Sequence, residues 1–183
     1  MMFTELPLQG AFVTEPKIFS DERGLFYRYF CKDEFAAIGH KKEWLQMNHS
    51  YTARKRTIRG LHYQLPPFSE IKYLRCIAGK IWDVIVDIRA GSPTFLQWYG
   101  VELSAENRKG LYIPEGFAHG FETLTDDCEL IYHHSALYAP GVEGGLRYDD
   151  PHIDIAWPLE PLLLSERDKN HSLITNTFQG IKP

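Results

Sequence analysis

The feature that most constrains the fold is a run of short segments rich in aromatic and β-branched residues, separated by Gly, Pro and Asp turns. The pattern predicts strands over residues 24–30, 57–65, 71–77, 81–89, 95–103, 110–114, 120–124 and 129–134. Residues 33–39 instead predict a short helix, with Asp33 suited to cap it and Gly39 to end it. This alternation predicts a mostly β protein, an antiparallel sandwich or barrel with a few short helices.

The carboxy-terminal part of the chain is less regular. Pro151, Pro158 and Pro161 forbid a long helix through it, so we expect this tail to wrap the barrel. No repeat, linker or low-complexity tract interrupts the sequence. A length of 183 residues suits one core, and we therefore expect a single domain over residues 1–183.

Charge and cysteine content exclude several classes of protein. The net charge of -4 argues against nucleic-acid binding by the chain as a whole. Cys31, Cys76 and Cys128 are odd in number and lack paired spacing, so no disulfide framework is expected. No apolar run approaches the ~20 residues that span a bilayer, and the first residues lack the pattern of a secretory signal. We expect a cytoplasmic protein without a membrane partner.

The segment RGLHYQ (59–64) contains the first candidate for chemistry. Strand alternation puts His62 on the face of Gly60 and Gln64, with Arg59 on the opposite face. A glycine within a strand often marks a bend, and a bend here would bring Arg59 and His62 to the same site. A lone strand histidine is more often structural than catalytic, so the segment alone leaves its role open.

The segment IPEGFAHGF (113–121) resembles the second cupin motif, in which the histidine corresponding to His119 binds a metal. The first cupin motif requires a His-x-His pair, whereas here His62 is followed by Gln64. A metal site would have to combine His62 and His119, with Glu70 as a further ligand and Gln64 as a poor one. We therefore expect no metal and no other cofactor.

Several other polar residues allow a purely structural interpretation as well as a functional one. His133 and His134 point to opposite faces of a strand, cannot chelate one ion together, and are interpreted as structural or surface residues. Tyr132 fits a core aromatic residue, Lys72 an edge lysine and Asp168 a solvated residue of a charged tail. Residue type and spacing alone do not decide between these alternatives.

Ordered segments carry a resemblance that does decide: DERG (21–24), QMNHS (46–50), IRGLHYQLPP (58–67), IKYLRCIAGKIWDVIVDIRAGSPTF (71–95), LSAEN (103–107), YIPEGFAHGF (112–121), Tyr132, Tyr138, Trp157-Pro158 and LSERD (164–168). Together they resemble the dTDP-4-dehydrorhamnose 3,5-epimerase (RmlC-like) family. The resemblance implies a cupin jelly roll that works without a metal. It also implies a homodimer with exchanged N-terminal strands, in which one subunit contributes to its partner's site.

The resemblance further implies a substrate and four roles. The substrate is similar to a nucleoside diphosphate 4-keto-6-deoxyhexose, whose carbons 3 and 5 flank the ketone and carry weakly acidic protons. His62 corresponds to the base, and Asp168 to the partner that fixes its tautomer. Tyr132 corresponds to the acid on the opposite face, and Lys72 to the cation that stabilises the enolate oxygen.

The same resemblance implies a set of residues that bind the nucleotide sugar. Arg59 suits the diphosphate because its guanidinium forms paired charge-assisted bonds, and Tyr138 corresponds to the residue that stacks on the base. The full set is Arg23, Arg28, Gln46, Asn48, Arg59, His119, Tyr138, Glu143 and Arg167.

Arg28 departs from the family pattern, which usually has Glu at this position, near the thymine. Arginine only donates hydrogen bonds and would face the N–H of thymine badly, whereas cytosine presents an acceptor at that atom. CDP is therefore the first alternative to dTDP and GDP the second. The alternative is that the Arg28 side chain turns away from the base or contacts phosphate, and the nucleotide is still dTDP.

Other functions remain open at this level. They are a single-centre epimerase on a CDP- or GDP-linked 4-keto sugar, a 3,4-ketoisomerase, a sugar-nucleotide-binding cupin without catalysis and a metal-dependent oxygenase. The epimerase is favoured because His62, Lys72, Tyr132 and Asp168 are all present.

Overall fold

A computed structural model describes residues 1–183. In chain order the strands are β1 (Met2–Glu5), β2 (Phe12–Glu15), β3 (Ile18–Asp21), β4 (Gly24–Tyr27), β5 (Gln46–Thr52), β6 (Ile58–Gln64), β7 (Lys72–Ala78), β8 (Lys80–Asp87), β9 (Trp98–Ser104), β10 (Gly110–Ile113), β11 (Phe117–Thr123), β12 (Cys128–His134) and β13 (Glu143–Gly145). The helices are α1 (Lys32–Ala36) and α2 (Glu166–Lys169). Neither helix is long and apolar enough to cross a membrane.

Two antiparallel sheets form the body of the protein. One has six strands in the order β1-β2-β10-β7-β12-β5, and the other has five in the order β13-β6-β11-β8-β9. Strands β3 and β4 pair only with each other, as a separate hairpin. The predicted mostly β architecture with a few short helices is confirmed.

Each predicted strand corresponds to an observed one, although residues 24–30 keep only β4 as a strand. The pattern missed β1, β2, β3, β5 and β13. Four of these contain only three or four residues, too short for alternation to be visible. The fifth, β5, is an edge strand of largely polar residues, which hide its periodicity.

The predicted helix over 33–39 is present as α1, but its capping differs from the expectation. Cys31 occupies the N-cap position, and Asp33 lies inside the first turn. A carboxylate there still interacts favourably with the helix dipole. Gly39 follows the helix with a φ of 89°, and its N–H donates to the carbonyl of Ala36.

The main core lies between the two sheets. Leu74 and Leu130 of the six-stranded sheet meet Ile85 and Phe121 of the five-stranded sheet, all buried. A second core lies on the outer face of the five-stranded sheet, where the tail covers residues such as Val84. Strand β8 is therefore buried on both faces, which explains its imperfect alternation.

Strand β6 contains a bulge opposite β11. His62 pairs with His119 and Arg59 with Phe121, so two residues of β6 oppose the single residue Gly120. Gly60 has a φ of 130°, and a Cβ on it would lie 2.5 Å from the Cα of Gly120. Because the extra residue shifts side-chain parity, Arg59 and His62 line the same cavity, as the predicted bend required.

Candidate active site

A cavity of about 630 Å³ opens at the edge of the main core. Its wall combines β6 and β11 from one sheet, β5, β7 and β12 from the other, and the segment around α2. A smaller cavity of about 230 Å³ adjoins it and shares four lining residues, Asn48, His62, Lys72 and His134. A ligand in this space would contact both sheets at once.

His62 and Asp168 form a hydrogen-bonded pair at the cavity wall. Nε2 of His62 lies 2.6 Å from Oδ1 of Asp168, and the Gly60 N–H donates to Oδ2 at 3.3 Å. Burial raises the pKa of Asp168, but the bonds from His62 and Gly60 lower it more, so it lies below its usual value. An ionised carboxylate accepts the Nε2 proton, which leaves Nδ1 of neutral His62 with a free lone pair.

Helix α2 holds Asp168 in place behind the histidine. Ser165 caps the helix, and its side-chain oxygen accepts the N–H of Asp168 at 3.1 Å. The Asp168 side chain is buried, in contrast to the solvated residue that its charged neighbours suggested. The pair is therefore suited to accept a proton at Nδ1 and to stabilise the resulting imidazolium.

Tyr132 approaches the same cavity from strand β12 of the six-stranded sheet. Its hydroxyl lies 3.2 Å from the Ser50 hydroxyl. Burial raises the pKa of Tyr132 well above the usual value for a phenol. It therefore stays protonated at neutral pH and is suited to donate a proton across the cavity from His62.

His119 and Asp83 form a second pair beside Tyr132. Nε2 of His119 lies 3.0 Å from both carboxylate oxygens of Asp83, and its ring meets the ring of Tyr132 edge-on at 6.3 Å. Burial raises the pKa of Asp83, although the nearby His119 and Lys72 act against this rise. The signal that could have indicated this pair is an acid on the inward face of β8, between Ile81 and Ile85, because a buried carboxylate needs a partner.

Lys72 is buried in a central strand, which differs from the edge position suggested by its sequence context. Its ammonium lies 3.2 Å from Oε1 of Glu70. His134 lies at the cavity wall beside it, whereas the sequence suggested a structural or surface residue. His133 points away, and its Nδ1 lies 3.5 Å from the Tyr29 hydroxyl.

Comparison with known proteins places this arrangement in a family. The model of the dTDP-4-dehydrorhamnose 3,5-epimerase family matches residues 5–176. The chain belongs to the dTDP-4-dehydrorhamnose 3,5-epimerase family. A dTDP-4-dehydrorhamnose 3,5-epimerase from Shigella flexneri is 48% identical over 168 residues, which cover 91% of each chain.

Solved structures of family members share the fold. The crystal structure of a Legionella pneumophila 3,5-epimerase in complex with dTDP-4-keto-L-rhamnose matches with a TM-score of 0.92 and 37% identity, over 100% of this chain and 98% of that one. A 3'-monoepimerase from Streptomyces bikiniensis in complex with dTDP-quinovose matches with a TM-score of 0.85 and 40% identity, over 92% and 85% of the chains. These two similar proteins therefore differ in the number of carbons named in their activity.

Most residues that the epimerase resemblance implied meet at the two cavities. Asn48, Arg59, His119 and Arg167 line the larger cavity with His62, Lys72, Tyr132 and Asp168, and Gln46, Tyr138 and Glu143 line the smaller one. Glu143 links two of them, because it accepts the Tyr138 hydroxyl at 3.1 Å and pairs with Arg167 at 3.0 Å.

Arg23 and Arg28 do not line these cavities. Arg23 lies at the turn of the β3–β4 hairpin and pairs with Asp21 of the same hairpin. Arg28 follows β4, its side chain is 65% exposed, and its Nη1 lies 4.0 Å from Oε1 of Glu34. The structure therefore separates these two residues from the other expected site residues.

The donors of the cupin metal pattern do not fit a metal ion here. The pattern would draw on His62, Gln64, Glu70 and His119, and each already bonds to the protein. The Gln64 amide, for example, donates to the carbonyl of Phe68 and accepts the N–H of Ala139. The ammonium of Lys72 beside Glu70 would also repel a cation.

A second group of possible ligands lies around the same pair. His62, Asp168 and His171 place one ligand atom each within 4.8 Å of one another. The 2.6 Å separation of His62 and Asp168 is that of a strong hydrogen bond. Burial lowers the pKa of His171 below its usual value, so the His171 ring beside the pair carries no charge at neutral pH.

Proposed function

We propose that the protein is an epimerase that inverts carbons 3 and 5 of a dTDP-linked 4-keto-6-deoxyhexose. The observation that carries this proposal is the placement of the His62–Asp168 pair and Tyr132 on opposite sheets of one cavity. A sugar ring between the sheets would present one face to each. Membership of a family whose relatives are named dTDP-4-dehydrorhamnose 3,5-epimerases supports the reaction and the substrate.

The proposed chemistry is proton exchange next to a ketone. Nδ1 of His62 removes the proton from the carbon, and the electron pair of that C–H bond becomes an enolate with its charge on the ketone oxygen. Lys72 stabilises this charge, and Asp168 stabilises the imidazolium. Tyr132 then donates its proton to the opposite face of the carbon. The configuration is inverted, and solvent restores the two proton-transfer groups to their starting states.

The nucleotide in this proposal is dTDP. Arg28 lies beside the Glu34 carboxylate, which supports the interpretation that it turns away from the base. The dTDP ligands named for the bound relatives point the same way. Turnover of dTDP-, CDP- and GDP-4-keto-6-deoxy sugars at equal concentration tests this choice, and a preference for CDP or GDP would overturn it.

Incubation with dTDP-4-keto-6-deoxyglucose in deuterated water, followed by NMR, tests the reaction itself. We expect deuterium at both carbon 3 and carbon 5, with inverted configuration. Exchange at carbon 3 alone would identify a single-centre enzyme such as the Streptomyces relative. Absence of exchange at either carbon with every 4-keto substrate would leave a binding protein and defeat the proposal.

We also propose that the protein is a homodimer with exchanged N-terminal strands. The β3–β4 hairpin pairs with no other strand, and two-stranded hairpins are only marginally stable alone. Phe19, Leu25 and Phe26 are exposed on it, with Phe26 at 72%. An exposed apolar patch of this kind indicates a partner surface. A second subunit would cover the patch and receive Arg23 at its own cavity.

The remaining proposals concern the cellular compartment and the domain organisation of the protein. Cys31, Cys76 and Cys128 are all free thiols, which supports a reducing compartment such as the cytoplasm. The two sheets share one core, and the tail covers the outer face of the five-stranded sheet. These contacts support a single domain over the whole chain.

A further inference from the structure

A series of hydrogen-bonded polar side chains runs behind Lys72. Glu70 receives the Lys72 ammonium on Oε1 at 3.2 Å and the Nδ1–H of His134 on Oε2 at 2.7 Å. The other nitrogen of the His134 ring, Nε2, accepts the Asn48 amide at 3.3 Å. The side chains of Glu70, Lys72 and His134 are only 10–11% exposed. These contacts therefore connect Lys72 with Asn48. The connecting residues, Glu70 and His134, have no role in the proposed reaction.

Strand pairing makes this connection rigid. His134 lies directly opposite Lys72 on β7 and opposite Gln46 on β5, so it stands between the two strands that carry Lys72 and Asn48. Glu70 lies two residues before Lys72, in the segment that leads into β7. Three neighbouring strands of one sheet thus carry Asn48, His134 and Lys72, and Glu70 lies just before the start of β7.

Lys72 needs such a connection because of its own chemistry. A lysine ammonium is a point charge on a flexible four-carbon stem, so it has no intrinsic preferred position. Burial of the ammonium without a counter-charge would be costly. Burial alone would raise the pKa of Glu70, but Lys72 and His134 together lower the pKa by more than burial raises it. The Glu70 carboxylate therefore stays ionised. Glu70 thus provides both a counter-charge and a fixed point for the ammonium.

We propose that Glu70 and His134 are positioning residues, which hold the Lys72 ammonium at the enolate oxygen and the Asn48 amide at the adjoining part of the substrate. The inference rests on the proposed epimerase function. It assigns no proton transfer to either residue. Glu70 acts through Lys72 on the rate of deprotonation, while His134 acts through Glu70 on that rate and through Asn48 on substrate binding.

The first test is Glu70→Gln, which keeps the size of the side chain and removes its charge. We expect kcat for deuterium exchange to fall about 10- to 100-fold, the loss typical of a group displaced by about 1 Å, while KM changes little. Glu102→Gln is the matched control, because Glu102 pairs with Lys80 at the same 3.2 Å but outside the cavities. The control should exchange deuterium at the wild-type rate. A wild-type kcat in Glu70→Gln would overturn the inference.

A double substitution shows whether Glu70 acts through Lys72. In the Lys72→Met background, Glu70→Gln should cause no further loss of kcat, because the positioned ammonium is already absent. A further loss as large as that in the wild-type background would contradict this. The thermal stability of every variant is measured alongside its rate of deuterium exchange. A loss of activity that only follows the loss of folded protein would also overturn the inference.

Substitutions of His134 separate its two contacts. The amide nitrogen of His134→Asn can take the place of Nδ1 and still donate to Glu70, but nothing replaces the acceptor for Asn48. This variant should raise KM with little change in kcat, whereas His134→Leu should change both. Equal effects of the two variants on kcat and KM would contradict the division of roles. If the wild-type protein itself exchanges no deuterium, the proposed function fails; if only these variants behave like wild type, the positioning role alone fails.

Discussion

At the scale of single residues, His62 and Tyr132 lie across one cavity and should fail in different ways when replaced. Tyr132→Phe removes the proposed acid but leaves the His62–Asp168 pair intact. We expect this variant to lose inversion while still exchanging the proton on the His62 face with deuterium. NMR of the recovered substrate measures both events. Inversion at the wild-type rate would show that another group provides the proton.

Asp168 gives a prediction about pH and stability. Its pKa in the folded protein lies below the ordinary value for an aspartate, because the bonds from His62 and Gly60 outweigh the effect of burial. The unfolded state therefore binds this proton more readily. The resulting stabilisation is present above the unfolded pKa and is lost as pH falls through the folded pKa.

Replacing Asp168 with Asn removes this titration. We expect the free energy of unfolding of Asp168→Asn to fall less steeply than that of wild type as the pH is lowered through the acidic range. Urea unfolding from pH 7 to pH 3 measures the two slopes. Equal slopes would contradict a lowered Asp168 pKa. The same substitution should reduce deuterium exchange by about 10²- to 10⁴-fold, because the base loses its partner.

Sequence reasoning found the side chains of this site more readily than their supports. His62, Lys72, Tyr132 and Asp168 stand in recognisable ordered segments. The role of Glu70, by contrast, can be inferred only from the pairing of β12 with β7, which places His134 against it. Such contacts depend on the register between strands distant in sequence, and residue spacing alone does not encode that register.

At the scale of elements, the bulge in β6 is the feature on which the cavity most depends. A Cβ at position 60 would lie 2.5 Å from the Cα of Gly120, and the φ of 130° is unfavourable for other residues. Gly60→Ala should therefore destabilise the protein by about 3 kcal/mol. It should also reduce activity beyond the loss of folded protein, since Arg59 and His62 would no longer share the cavity.

Gly91→Ala is the matched control for this prediction. Gly91 also has a positive φ, 77°, but nothing lies within 4 Å of a Cβ placed on it. Its cost should be only the backbone strain, about 1 kcal/mol. Chemical unfolding of both variants gives the comparison, and equal losses would show that the approach of Gly120 does not matter.

The same strand shows what alternation can and cannot predict. Alternation correctly placed β6 as a strand but set Arg59 and His62 on opposite faces. Only pairing with β11 reveals the extra residue that brings them together. The glycine indicated where a bend was possible, while its geometry came from the neighbouring strand.

At the scale of the whole molecule, the proposed dimer makes a prediction that a monomer cannot meet. If Arg23 serves the partner's cavity, Arg23→Ala and His62→Asn should each be inactive as separate homodimers. In a mixed dimer, the subunit with an intact His62 receives an intact Arg23 from the other subunit. Mixing and subunit exchange should therefore restore up to one working cavity in each mixed dimer.

Light scattering during the mixing experiment measures the size of the assembly, and deuterium exchange measures the recovered activity. His62→Asn mixed with Asp168→Asn is the control, because both residues belong to one subunit's cavity and no mixed dimer can repair it. Recovery in the control, or none in the test mixture, would contradict an exchange of Arg23 between subunits.

His62 and Tyr132 lie on separate sheets, so the apolar core between the sheets sets the distance between these two side chains. Leu74 and Leu130 on one side meet Ile85 and Phe121 on the other, so their combined volume sets the gap that the sugar ring must bridge. A smaller side chain there, as in Leu130→Val, would alter the reach between the two groups without touching either. Tolerance for a bulkier or slimmer sugar thus depends partly on residues outside the cavity wall, namely Leu74, Leu130 and Ile85.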